Sequence, residues 1–463
     1  MVKRILFTTS VAIIVAIAAL ARTQEPREGF YVHTVQWYEY LEGIAESYGV
    51  PVSVIVEING LPEAKVKTRQ VLYIPKSEKY YPEKHEEVTE KADSCAMRND
   101  VADSCATQDS IADSLEQVRI YTVPERVKNI RMGLLLPFSN DKCFEFYNGV
   151  LMAAKEAGNS GINIRLNVFD YDNGIDRDAL EECNFILGPI RYEDVRTVAD
   201  TLARDKLIIS PLDTKVDSLC ESHPNVIQVV ASSFAQWKEA TLWNEDSPLP
   251  EKWIIISAEG DKTVLSDAET ALRDKDIEYT VTACSASGDV DEWENIYDDE
   301  HDFRVLLARS NEAALNNAIR NMGIAAMKGN VTVYCSGKVR TAGIPVENIH
   351  KAGVHALCSF YADYSSKAVK DFIRAYKSHF NCEPTEYAFH GYDLAFYLLK
   401  TYSKYGRAWK HCVCRDDRFD MLQTSFLFRN TDNGTTANYG VRRVLYSNDW
   451  KVELVESGKK FNR

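Results

Sequence analysis

The chain has 463 residues, which is long enough for two or three domains. Hydrophobic residues make up 45% of it and charged residues 26%, as in folded soluble proteins. A formal net charge of −14, with no basic tail or stripe, argues against nucleic acid as a partner, because phosphate backbones require a basic surface.

The first segment has the pattern of a signal peptide. Two basic residues precede an apolar run from Ile5 that ends in Ala19-Leu20-Ala21. This pattern predicts cleavage after Ala21, so that residues 1–21 are removed and the mature protein is periplasmic. An uncleaved anchor remains the alternative, because a run of about 17 apolar residues is just short of a membrane span. No other segment is apolar for long enough to cross a bilayer, so we expect no stable transmembrane span after cleavage.

Residues 31–76 form the first predicted domain. "YVHTV" alternates like a short strand, and the next segment places Leu41, Ile44, Ala45 and Tyr48 on one helical face. A second short helix, "PVSVIVEING", follows, and "VLYIP" closes the unit as a strand. The pattern therefore predicts a small βααβ domain.

The segments "IAESYGV", "INGL" and "VLYIP", in this order, resemble the LysM domain, which binds N-acetylglucosamine-containing glycans of peptidoglycan and chitin. The resemblance implies a glycan site between the loop after the first strand and the loop after the second helix. Carried over to this sequence, the glycan-binding residues are Trp37, Tyr38, Glu39, Tyr40, Ile58, Asn59, Gly60 and Leu61.

Two positions depart from the usual LysM pattern. Tyr38-Glu39-Tyr40 replaces a Gly-Asp/Glu-Thr sequence, and Arg69 stands where a glycine is usual. The added aromatic rings suit stacking on sugar faces, whereas a bulky residue in place of glycine would fill the groove. Two interpretations stay open: a LysM domain that binds peptidoglycan, and a LysM fold that no longer binds glycan.

Residues 77–128 have the composition of a linker. Three near-copies repeat every ten residues, "ADSCAMRNDV", "ADSCATQDSI" and "ADSLEQ", and residues 83–116 carry ten acids against three bases. This composition cannot bury enough apolar surface to fold alone, so we predict an acidic, solvated tether. Cys95 and Cys105 are either reactive thiols of this tether or incidental to the repeat.

Residues 129–456 alternate between strand and helix patterns. Phe185 to Pro211 is typical: two apolar runs flank a segment with Val195, Val198 and Leu202 at helical spacing. Continuous apolar strands that alternate with helices indicate parallel sheets covered on both faces. Because a single sheet is too small for this length, we predict the α/β class with two lobes.

The motifs of this region resemble the type I periplasmic-binding-protein fold of the branched-chain amino-acid receptors. The matching residues are Gly149 in the first helix, Gly188-Pro189 after the third strand, and Gly391-Tyr392-Asp393 on a late helix. The combination with a LysM domain is similar to that in exported proteins of the Bacteroidetes group. The resemblance implies two lobes, joined by two or three crossings, that close on a ligand.

The receptor likeness also implies a ligand site at the cleft edge. The corresponding positions are Arg191, Tyr192, Ser210, Asp213 and Thr214, and Tyr361 and Tyr364 at the edge of the second lobe are weaker candidates. The hydroxyl residues that hold an amino acid's carboxylate in the receptors are absent after Gly188-Pro189. Two interpretations follow: Arg191 and Asp213 receive a zwitterionic or peptide-like ligand, or they pair with each other and seal the cleft.

The cysteine count is odd, at eleven. In an oxidising compartment we expect some of them to pair and one to be left over. Cys183 and Cys335 lie in apolar runs and are predicted to be buried thiols. "HCVC", His411 to Cys414, is interpreted as a surface loop with one disulfide rather than as a fragment of a metal site.

No catalytic motif stands out, since there is no nucleophile elbow, zinc-protease helix or phosphate loop. His390 lies on a predicted helix and is interpreted as a packed residue rather than a base. We therefore expect a non-catalytic protein without metal or cofactor, associated with peptidoglycan through LysM, whose large domain binds a small ligand or a protein. The alternatives are a regulator or scaffold of peptidoglycan-synthesis enzymes and a solute receptor for an amino-acid ABC transporter.

Overall fold

The computed structural model describes residues 29–35, 41–48, 50–61, 66–67, 70–76, 123–242, 249–257, 260–283, 298–309, 311–327, 329–431 and 434–455. The predicted signal peptide, the repeats and the predicted site residues Trp37, Tyr38, Glu39 and Tyr40 lie outside the described residues. The chain divides into an N-terminal unit, Met1–Val101, and a large unit, Ala102–Arg463. Each is described by itself.

The N-terminal unit is a βααβ fold, as the sequence predicts. Its elements are β1 (Phe30–Thr34), α1 (Leu41–Tyr48), α2 (Val52–Asn59) and β2 (Val71–Pro75). β1 and β2 pair antiparallel, with Phe30 opposite Pro75. The apolar faces of both helices and of the two-stranded sheet enclose one core, formed by Val35, Leu41, Ile44, Ala45, Val50, Ile55, Leu72 and Ile74.

The large unit contains two lobes, each built on a seven-stranded sheet. The strands of the first lobe are β3 (Asn129–Leu136), β4 (Asn163–Asp170), β5 (Phe185–Leu187), β6 (Leu207–Ser210), β7 (Val226–Gln228), β15 (Phe428–Asn430) and β16 (Thr436–Asn438). The strands of the second lobe are β8 (Glu251–Ser257), β9 (Tyr279–Ala283), β10 (Asp302–Leu307), β11 (Val331–Ser336), β12 (Val354–Cys358), β17 (Arg442–Tyr446) and β18 (Val452–Val455). β13 (Phe419–Asp420) and β14 (Ser425–Phe426) form a separate ribbon.

Helices flank both sheets. Those of the first lobe are α3 (Asp141–Asn159), α4 (Arg177–Glu181), α5 (Tyr192–Thr201), α6 (Asp217–Ser222), α11 (Lys367–Phe380), α12 (Glu386–Tyr405) and α13 (Trp409–Val413). Those of the second lobe are α7 (Ser233–Ala240), α8 (Lys262–Arg273), α9 (Glu312–Ala325) and α10 (Val346–Lys351). In β8, Ile254 and Ile255 point to opposite faces and both are fully buried, so the sheet is covered on both sides.

The strand orders confirm two α/β lobes with mainly parallel sheets. The first sheet runs β15-β16-β7-β6-β5-β3-β4 and the second β18-β17-β12-β11-β10-β8-β9. β3 to β7 and β8 to β12 pair in parallel, whereas β15, β17 and β18 are antiparallel to their neighbours. The antiparallel strands belong to the end of the chain, where short connections and crossings replace the helical connections that parallel pairing requires.

Three described segments cross between the lobes: residues 229–232, 359–366 and 439–441. They are joined side by side by hydrogen bonds. The Ser359 hydroxyl donates to the Ala231 carbonyl (3.3 Å), and Nδ2 of Asn438, the last residue of β16 before the third crossing, donates to the Val229 carbonyl (2.8 Å). Three short segments between two lobes are the kind of connection about which two lobes can open and close as a hinge.

The cysteine expectations are only partly confirmed. Cys183 and Cys335 are buried, as predicted, but none of the eight described cysteines forms a disulfide. The "HCVC" interpretation is wrong: its first residues end α13, Cys412 is buried, and the Cys414 thiol contacts Asn430 Oδ1 at 3.1 Å. Helical spacing of Trp409, Cys412 and Val413 places all three in the core, which the sequence motif did not reveal.

Candidate functional site

The predicted glycan loop Ile58 to Leu61 is a tight helix C-terminus. Gly60 has the left-handed backbone conformation (φ 59°, ψ 40°) that favours glycine. Its N–H donates to the Glu57 carbonyl (3.2 Å), and the Leu61 N–H donates to the Val56 carbonyl (3.0 Å). These two bonds cap α2 and fix the path of the loop.

Asn59 connects this loop to the sheet. Its Nδ2 donates to the carbonyls of Ile55 and Tyr73, each at 2.8 Å, and its Oδ1 accepts the Tyr73 N–H at 2.7 Å. The carboxamide is thus committed to the backbone of α2 and β2. Asn59 positions the loop, and the surface that the loop offers a ligand comes from its backbone and from the half-buried Ile58.

Replacing Asn59 with alanine is expected to destabilise this loop by about 2 kcal/mol, because the Tyr73 N–H loses its acceptor. In the full chain, hydrogen exchange at the Tyr73 amide should become roughly 30-fold faster. Glu57→Ala, an exposed change on the same helix, is the control and should leave that rate unchanged. Equal exchange in Asn59→Ala and the native chain would contradict the positioning role.

The first-lobe cleft edge is held together by Asp213. Its Oδ2 accepts the N–H of Tyr192, the first residue of α5, at 2.8 Å, and its Oδ1 accepts the Lys215 N–H at 3.0 Å. Asp213 is only 8% exposed. A side chain of the protein therefore accepts the first N–H of α5, at a helix start whose N–H groups suit an anion.

The other predicted residues of this edge are dispersed. Arg191 and Thr214 are exposed, and no ion pair joins Arg191 to Asp213. Ser210 is fully buried, and its hydroxyl has no hydrogen-bond partner among the described residues. The structure thus brings Tyr192 and Asp213 together but not the Arg191–Asp213 pair.

Tyr361 lies at the second-lobe edge, three residues after the end of β12 and on the crossing segment 359–366. Its N–H donates to the Gln423 carbonyl (2.8 Å), and its own carbonyl accepts from Arg442 Nη1 (3.0 Å). The guanidinium of Arg340 lies over its ring, 4.7 Å from the centroid. Sequence reasoning missed Arg340; the signal available was its position in "SGKVR", directly after the predicted strand "VTVYC".

His390 is a packed residue, as interpreted from the sequence. Its ring lies between Phe146 (5.6 Å between centroids) and Phe360 (4.5 Å), and its Nε2 donates to the Pro211 carbonyl (2.8 Å). Burial lowers its pKa to about 4. Because Phe360 lies on a crossing segment and Pro211 on the cleft edge, His390 joins the first lobe to the hinge.

The loop 421–424, beside the crossings, is held from two sides. The Asp393 carboxylate accepts the N–H groups of Leu422 (3.0 Å), Gln423 (2.8 Å) and Thr424 (2.8 Å). Arg442 donates to carbonyls of the same loop and to the carbonyl of Tyr361. Asp393 is the last residue of the Gly-Tyr-Asp motif. In this structure its carboxylate holds the loop 421–424, which lies beside the hinge.

The described residues contain no group of three or more His, Cys, Asp or Glu side chains suited to a metal ion. Within the same residues, no helix is both long and apolar enough to cross a bilayer.

Residues 33–75 match the LysM domain family. No curated protein is significantly similar to the chain in sequence. Among solved structures, a putative branched-chain amino acid ABC transporter from Rhodospirillum rubrum is 14% identical with a TM-score of 0.52, and the match covers 71% of this chain and 100% of that one. Full-length LpoA from Haemophilus influenzae is 11% identical with a TM-score of 0.50, and the match covers 72% of this chain and 60% of LpoA.

At these identities the likeness establishes the fold. The chain thus joins a LysM domain to a two-lobed domain with the type I periplasmic-binding-protein fold.

Proposed function

We propose that this protein is a non-catalytic, periplasmic protein held at the cell wall by its LysM domain, with a two-lobed domain that binds a wall-derived ligand or a protein. The observation that carries the proposal is the LysM match over residues 33–75 together with an intact βααβ core. LysM domains bind N-acetylglucosamine-containing glycan, so peptidoglycan is the expected partner.

The geometry of the glycan loop supports this function. Gly60 keeps the left-handed turn, and Asn59 fixes the loop against β2, so the surface formed by residues 58–61 is ordered before any ligand arrives. A preformed site loses less conformational entropy on binding. The aromatic residues Trp37, Tyr38 and Tyr40, expected on the neighbouring loop, would supply faces for sugar rings.

The cleft edge argues against a receptor for free amino acids. Asp213 already accepts the first N–H of α5, close to where the resemblance places the receptors' carboxylate site, and its charge repels a second anion there. The second candidate function, docking of a wall-synthesis enzyme, needs no carboxylate site at this place. Asp213 therefore favours a wall-associated binding or docking role over amino-acid transport.

Sedimentation with purified peptidoglycan tests the proposal. The mature chain should pellet with the insoluble wall, because LysM binds the glycan strands. A matched chain lacking residues 22–80 keeps the large unit and should stay in the supernatant. Pelleting of both chains would assign wall binding to the large unit, and pelleting of neither would refute wall retention.

A further inference from the structure

Arg340 is placed at the cleft edge of the second lobe. It ends the short 3₁₀ helix Gly337–Arg340, which follows β11 directly. Ligands of open parallel sheets bind outside the carboxyl ends of the strands, and β11 and β12 end here. Arg340 is exposed, so its guanidinium is accessible from solvent.

The contacts of Arg340 are with neutral groups. Its Nη1 donates to the Phe360 carbonyl at 3.3 Å, and its guanidinium lies over the Tyr361 ring. The Tyr446 hydroxyl and the Cys358 thiol are further hydrogen-bond partners. These contacts hold the planar guanidinium in one place without neutralising its charge.

No carboxylate of the described residues forms an ion pair with Arg340. The nearby Asp363 carboxylate accepts the Ser365 N–H at 2.8 Å instead. Two buried arginines of this lobe are compensated: Arg309 pairs with Asp261 (3.2 Å) and Arg443 with Glu239 (3.6 Å). Arg340 therefore presents an uncompensated positive charge at the cleft, and its contacts with Phe360 and Tyr361 orient that charge.

We propose that Arg340 and Tyr361 form a carboxylate-binding site in the second lobe. The guanidinium would bind the carboxylate through two parallel hydrogen bonds, and the ring of Tyr361 would contact the sugar ring or apolar group attached to it. Such a ligand is a carboxylate-bearing wall fragment or peptide. The inference rests on the proposed function, because it names the ligand class of the same cleft.

The division of charge between the lobes supports this ligand class. In the first lobe the helix start is filled by Asp213, so an anionic group is disfavoured there. In the second lobe the positive charge of Arg340 attracts an anionic group of the ligand. The carboxylate is therefore expected at the opposite side of the cleft from its position in the amino-acid receptors.

Calorimetric titration of the mature chain tests the site. The probes are N-acetylmuramyl dipeptide, its fully amidated form, the tripeptide Ala-γ-Glu-Lys and N-acetylglucosamine. The two carboxylate probes should bind, and amidation should weaken binding roughly tenfold or more, because a charge-assisted pair is lost. Binding of the muramyl dipeptide alone identifies a ligand whose sugar ring is recognised together with its peptide carboxylate, and comparable binding of the tripeptide identifies a peptide.

Arg340→Gln should reduce carboxylate binding by the same factor, and Arg340→Lys should recover only part of it, because lysine cannot bind in the bidentate geometry. Arg320→Gln, an exposed change on α9, is the matched control and should bind like the native chain. Unchanged binding in Arg340→Gln, or no binding of any carboxylate probe at millimolar concentration, would overturn the inference.

The two proposals fail separately. Arg340→Gln should sediment with peptidoglycan as the native chain does, since the LysM unit is unaltered. If the native chain does not sediment but carboxylate binding still depends on Arg340, wall retention is refuted and the carboxylate site is upheld.

Discussion

Replacing Gly149 or Gly391 with alanine is expected to destabilise the large unit by about 3 kcal/mol or more. α3 and α12 approach each other at these two glycines. A methyl group on Gly149 would overlap the Ala388 carbonyl oxygen, and one on Gly391 would overlap the Phe146 carbonyl oxygen. Because the obstacle is backbone and not a flexible side chain, the helices must separate and their shared core must loosen.

Gly158→Ala is the matched control for this prediction. Gly158 lies on the same helix, is exposed and has open space around it, so alanine should be neutral or slightly stabilising there. Urea unfolding of the three variants measures the difference. Equal stability of Gly149→Ala and Gly158→Ala would show that the close approach of the helices is not required.

Acidification is expected to destabilise the large unit through His390. The pKa of His390 is about 4 in the folded protein, whereas the ordinary value for histidine, which applies to the unfolded chain, is 6.5. Protons therefore bind preferentially to the unfolded chain. Its contribution to stability is complete above pH 6.5 and is lost as the pH falls to about 4. A difference of this size corresponds to about 3 kcal/mol of unfolding free energy.

His390→Phe isolates this contribution, because phenylalanine fits between Phe146 and Phe360 and does not titrate. The comparison is needed because a second group titrates in the same pH range. Burial raises the pKa of Asp393, one turn further along α12, to about 6, so protonation of Asp393 stabilises the folded chain as the pH falls. The native chain should lose about 3 kcal/mol more than His390→Phe between pH 6.5 and pH 4. Identical pH profiles of stability for the native chain and His390→Phe would refute the role of His390.

Local patterns were sufficient for the elements of the fold. Alternation and helical spacing located β1, α1, α2 and β2, and the breakers at Gly188 and Pro211 delimited β5, α5 and β6. These signals are carried by residues close in sequence. The antiparallel β15, β17 and β18 escaped prediction, because strand direction depends on how the chain crosses between lobes.

The site was harder to predict, because its residues act through tertiary contacts. The sequence suggested Asp213 as a ligand contact or as a partner of Arg191, but its carboxylate binds backbone N–H groups of α5 and of the following turn. Arg340 was missed, since only the fold places it over Tyr361. The family likeness pointed to Gly149 and Gly391, and the structure supplied the reason, which is the close approach of two helices.

The central claim, that the LysM unit binds wall glycan, is tested most directly by hydrogen exchange of the mature chain with and without an oligomer of N-acetylglucosamine. The account predicts slower exchange in segments 36–40 and 58–61 and no change at the cleft of the large unit. Unchanged exchange in both segments at saturating oligomer, or slower exchange confined to the large unit, would contradict it.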